Sequence, residues 1–156
     1  MPNRHEKTSN AKASVAEALA GVLADTFQLY LKTHAYHWNV SGPQFPQLHA
    51  LFGDQYTEMW NALDELAERM RALGAIAPGN ADSFARLSAI APAADAPPDA
   101  RRMILDLLDG HERIAARLAG GVAAAEEAGD AASADLLTGR IAIHDKAAWM
   151  LRATAA

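Results

Sequence analysis

Apolar residues recur along this chain at intervals of three and four, in four long runs separated by breaks that carry glycine and proline. Val15, Leu19, Val22, Leu23 and Tyr30 mark one face of a helix over residues 14–37, with no proline and a single glycine. Ser41, Gly42 and Pro43 then have the composition of a turn. A second helix over 45–73 carries Leu48, Phe52, Gln55, Met59, Leu63, Leu66, Met70 and Leu73, and Gly74 closes it. A third over 99–127 presents Ile104, Leu107, Leu108, His111, Ile114, Leu118 and Val122 on one side. Gly129 followed by Asp130 predicts a stop and then an N-cap, so a fourth helix runs over 131–153 with Leu137, Ile141, His144 and Leu151 inward.

Between the second and third helices, residues 75–98 hold four prolines, and their best helical piece is 83–90. Two hairpins of long helices joined by a long link have the connectivity of a ferritin-like bundle. The expected fold is all-α: a four-helix bundle over 14–156 with a short extra helix in the crossover, preceded by a mobile, weakly basic tail at 1–13. Abundant alanine and leucine and few aromatics agree with that class, and 156 residues suit one domain.

No stretch reaches the roughly 18 apolar residues of a membrane span, and the polar N-terminus lacks the apolar centre of a signal peptide, so the expected place is the cytoplasm. With no cysteine, any metal must be held by imidazole, carboxylate and water. A net charge of −5 argues against a broad basic face for nucleic acid. The tail is the exception, with Arg4, Lys7 and Lys12 against Glu6.

One residue beyond the core stripe of the second helix lies another, made of His49, Asp64 and Glu68. The offset turns these side chains by about 100°, onto a flank of the bundle. Asp64 and Glu68 are an i, i+4 pair able to close on one cation. His49 is fifteen residues away, about 22 Å along a helix, a distance no metal spans. A second chain lying antiparallel across a twofold axis resolves the conflict, because the His49 end of one helix then meets the carboxylate end of the other. His37, just before the turn, joins His49. The plainer reading of an Asp-x-x-x-Glu pair followed by Arg69 is a solvated face. His111 and His144 are read as core or interface residues, and His34 and His5 have no identifiable partner.

The string His37, Trp38, Asn39, Val40, then Gly42, Pro43, Phe45, Leu48, His49, Tyr56 and Asp64 through Arg69, resembles the signature of the Dps family of mini-ferritins. His144, Asp145, Lys146 and Ala148 through Arg152 in the last helix are similar to that family too, and the likeness runs from about residue 14 to the end. The resemblance implies a dodecameric shell built from twofold dimers, oxidation of iron(II) at subunit interfaces with peroxide as the usual oxidant, and ferric mineral stored inside. It implies His37, His49, Asp64 and Glu68 as the ligands of non-haem iron and as the ferroxidase site. Trp38 and Tyr56 fall where the family places aromatics near that site, a position equally suited to packing an interface. Asp130 and Asp135 resemble its iron-entry pore, and each reads equally well as a cap or a surface charge.

One departure stands out. Where the family usually has Asp or Glu, four residues after the second histidine, this chain has Gly53, which puts a second iron position in question. Asp54 is turned about 100° away and is read as an aid to mineral nucleation. No Glu-x-x-His occurs, which disfavours a di-iron site inside one subunit. The rival reading is a shell that coats DNA and compacts the nucleoid through Arg4, Lys7 and Lys12, with a weak or degraded iron site.

Overall fold

The computed structural model describes the backbone of residues 4–156 and the side chains from residue 9 onward. It contains α1 (Arg4–Asn39), α2 (Phe45–Ala72), α3 (Ala81–Leu87), α4 (Ala100–Glu127) and α5 (Ala131–Ala155), with no strand among the described residues. The two principal packings are α1 on α2 and α4 on α5; α1 also lies against α4, and α3 rests on α1. This is the expected four-helix bundle with a short helix in its crossover.

The core follows the apolar stripes. Leu19, Leu23 and Leu29 from α1 meet Phe52, Met59 and Leu66 from α2, Leu107, Ile114 and Leu118 from α4, and Leu137 and Leu151 from α5, all fully buried. Leu63, Leu73, Leu108, Val122 and Ile141 lie at the edge of that core, half-buried. Helix ends sit where the predicted punctuation places them. Gly74 (φ 88°) and Gly129 (φ 69°) adopt the left-handed conformation. In each case the next amide reaches back to the third-last helical carbonyl, Ala75 to Met70 at 3.0 Å and Asp130 to Ala125 at 2.8 Å. Asp99 and Asp130 cap α4 and α5 by accepting from the amides of Arg102 and Ser133.

Two boundaries differ from expectation. The first helix begins at Arg4, ten residues before its apolar stripe. Residues 4–13 contain no proline or glycine, so backbone propensity continues the helix where the hydrophobic pattern gives no signal. Lys12 is exposed on this extension, whereas the side chains of Arg4 and Lys7 lie outside the described residues. The crossover helix sits two to three residues early because the Asn80 side chain caps it, accepting from the Ser83 amide at 2.9 Å.

The crossover is held by one buried carboxylate. Asp25 on α1 accepts from the Ser88 hydroxyl (2.8 Å), the Ala89 amide (2.7 Å) and the Arg117 guanidinium of α4 (2.8 Å). Phe84 adds a stacked contact with Phe27 at 4.3 Å.

Candidate metal centre

The end of α1 and the start of α2 bring two imidazoles face to face, with ring centroids 3.7 Å apart and planes 19° from parallel. Their hydrogen bonds are reciprocal. His37 Nδ1 donates to the carbonyl of His49 at 2.6 Å, and His49 Nδ1 donates to the carbonyl of His37 at 2.8 Å. The His37 carbonyl is in the last turn of α1, where helical partners run out, so the second bond also satisfies an end group. A carbonyl can only accept, so both Nδ1 atoms carry protons, and it is Nε2 of each ring that is left for a ligand. That is how a metal-binding histidine is normally held.

Gly53 belongs to this arrangement. A Cβ there would stand 3.2 Å from His37 Cε1 and 3.3 Å from its Nδ1, tighter than ordinary contact. The missing side chain gives the His37 ring its seat against α2.

Behind the pair is an aromatic wall centred on His34. Its ring stacks on Tyr56 (3.8 Å, 12°), lies 4.0 Å from Trp38 and shares a hydrogen bond between its Nδ1 and the Tyr30 hydroxyl (3.2 Å). Burial, and then the neighbouring His37, hold its pKa below the ordinary histidine value. Tyr56 lies 5.2 Å from His37, while the Trp38 ring projects outward, 61% exposed. The role of His34 was missed in the sequence. Its signal was the run Tyr30, His34, His37, Trp38, all on one face at helical spacing.

Asp64 and Glu68 lie exposed one turn apart on α2. Because α2 is unbroken from Phe45 to Ala72, the estimate of about 22 Å from His49 to Asp64 stands. No three His, Asp or Glu side chains of one chain gather as a metal site among the described residues. Arg69 turns away to Ser133 (2.8 Å) and Asp130 (2.7 Å), so among the described residues neither carboxylate is paired with a cation. Asp64 lines an open groove of about 510 Å³ with Leu23, Trp60 and Phe84.

Asp130 uses both oxygens, accepting from the Ser133 amide and hydroxyl and from Arg69. Burial alone would raise its pKa; the Ser133 bonds and Arg69 outweigh that and leave it below the usual carboxylate range. The structure thus gives Asp130 the cap. Asp135 is exposed beside Glu58 and Glu65 in a groove between α2 and α5, and Asp54 is exposed beside a second one. His111 and His144 are in the core, hydrogen-bonded Nδ1 to Nδ1 at 2.9 Å.

The fold defines a ferritin-like protein, and the family model for the ferritin-like domain matches residues 16–156. DNA protection during starvation protein 1 of Deinococcus radiodurans is 34% identical over 98% of this chain and 74% of its own length. DNA protection during starvation protein 2 of Bacillus anthracis is 36% identical over 89% of this chain and 94% of its own. The structure of Dps from Thermosynechococcus elongatus superposes with a TM-score of 0.91 at 31% identity, covering 96% of this chain and 94% of that one. The chain belongs to the Dps family of ferritin-like proteins.

Proposed function

We propose that this protein is an iron-storing, iron-detoxifying mini-ferritin of the cytoplasm, oxidising iron(II) with hydrogen peroxide at sites shared between two subunits. The observation that carries the reading is the reciprocal tether of His37 and His49, which leaves two Nε2 atoms side by side with no further ligand among the described residues of their own chain. Across a twofold axis the exposed Asp64 and Glu68 of a second copy complete the set. Two imidazoles and two carboxylates are a donor set suited to iron(II), and carboxylate oxygens favour the ferric product over the ferrous substrate. Two iron(II) ions giving one electron each reduce one peroxide, with two protons, to two waters and release no hydroxyl radical, so detoxification and storage become one act. In this reading twelve copies enclose the ferric mineral, and the DNA of the cell is protected.

Stopped-flow absorbance after adding iron(II) and peroxide tests it. Asp64→Ala with Glu68→Ala should slow oxidation at least about 100-fold; oxidation at the parental rate would remove the site.

A second reading, a DNA-coating shell, draws on the exposed Lys12 and the basic residues Arg4 and Lys7 before it. Twelve such segments would give avidity that falls steeply with salt. A gel shift at low salt, with and without residues 1–12, decides between them: equal DNA mobility would discard this reading.

A further inference from the structure

The last turns of α1 carry Lys32 and Tyr36, one turn apart on the face toward α4, and only 4% and 3% of their surfaces are exposed. One carboxylate of α4 engages both. Lys32 Nζ donates to Asp106 Oδ1 at 3.0 Å, and the Tyr36 hydroxyl donates to Asp106 Oδ2 at 2.6 Å. Burial, and then the hydrogen bond and charge of Asp106, push the Tyr36 phenol far above its ordinary value, so it stays a donor.

A buried ion pair is a weak source of stability, because desolvating the charges offsets much of their attraction and an apolar group of similar volume often packs as well. What a two-point contact adds is direction. Among the described residues α1 and α4 are joined by ion pairs at two places, Asp25 with Arg117 beside the crossover and Lys32 with Asp106 near the end of α1. Bonds from residues a turn apart to both oxygens of one carboxylate fix the rotation of α1 about its axis and its shift along it. His37 is the residue after Tyr36. A helix turns about 100° per residue, so holding Tyr36 against α4 turns His37 toward α2, where its Nδ1 meets the His49 carbonyl at 2.6 Å. The helix end is thus gripped from two sides, by Asp106 of α4 and by the paired histidine bonds to α2.

We propose that Asp106 is a positioning residue for the metal-binding histidines: by clamping Lys32 and Tyr36 it sets the rotation of α1 at which His37 and His49 stand side by side. The inference rests on the function proposed above and extends its machinery to an acid on a third helix.

Crystal structures and cobalt(II) affinities of the full-length chain and three variants test it. Asp106→Ala should open the two bonds between His37 and His49 and weaken cobalt(II) binding about 10-fold. Tyr36→Phe, which keeps the ring and the ion pair, should act in the same direction and by less. Ile114→Val removes buried packing from α4 and leaves the clamp intact, so it should lower the thermal midpoint and bind cobalt(II) as the parent does. The proposal is overturned if Asp106→Ala keeps both histidine bonds at their parental lengths, if it matches the parent's cobalt(II) affinity, or if Ile114→Val loses as much affinity. Where Asp106→Ala does not fold, Tyr36→Phe carries the same two readouts, and parental values in it overturn the proposal. A parent that binds no cobalt(II), with histidine bonds that still open in Asp106→Ala, would leave the clamp standing and remove the metal site.

Discussion

At position 53 helix propensity and site geometry pull in opposite directions. Gly53→Ala places a better helix former within α2, worth about 0.5–1 kcal/mol. Its Cβ also presses on the His37 ring, whose tether to the His49 carbonyl leaves little room to yield. The expected result is a thermal midpoint unchanged or raised, with iron(II) affinity lowered about 10-fold, read by titration; unchanged affinity would show that His37 does not need that seat.

The core histidines make a prediction about pH. Burial, and then Arg140, push His111 down to about 3; burial, then His111 and Arg140, push His144 well below 6.5. Glu58, paired with Arg140, is the acidic group beside these histidines. The unfolded chain therefore binds protons at these sites from pH 6.5 downward while the folded chain does not, so stability falls with acid across that window. The slope is about 1.4 kcal/mol per pH unit for each such group. Urea unfolding at pH 7 and pH 5 should show the loss, and replacing both histidines by phenylalanine should flatten it. The His37 and His49 positions were legible from residue type and spacing. The tautomers were not, because carbonyls that the turn brings within reach set them.

Among the elements, the long helices announced themselves through period and punctuation. Gly129 followed by Asp130 and the close at Gly74 read correctly because a left-handed residue and a side-chain cap are local requirements. The start of α1 was illegible, since ten residues of helix without an apolar stripe look like a tail. Asp25 was illegible for a different reason: its partners are 63, 64 and 92 positions away, and nothing local marks it. Asp25→Ala should cost about 2–3 kcal/mol, because it strips the crossover of buried hydrogen bonds. Limited proteolysis should then cut within 78–98 before the long helices yield; an unchanged cleavage pattern would show that the Phe27–Phe84 stack alone holds the segment.

At the scale of the whole molecule, Trp38, Trp60 and Trp149 each expose more than half their surface. Large exposed aromatics of this kind fit a chain that buries them against copies of itself. Trp60 lines the groove beside Asp64, so Trp60→Glu should lower the particle mass in sedimentation velocity and oxidation with it. A mass unchanged by that substitution would place Trp60 outside any interface. The proposal of a site shared by two chains starts from a number legible in the sequence, fifteen residues of helix between His49 and Asp64, while the partner surface lies outside a single chain and so outside any one-chain pattern.

The claim that one site is built by two chains is tested most directly by complementation. Subunits carrying His37→Ala with His49→Ala are inactive in this account, as are subunits carrying Asp64→Ala with Glu68→Ala. Unfolded together in equal amounts and reassembled, they form mixed dimers in which one of the two sites has all four ligands. Iron(II) oxidation should return to about a quarter of the parental rate. If the mixture stays as inactive as its parts while assembling fully, the four ligands do not meet across a subunit boundary.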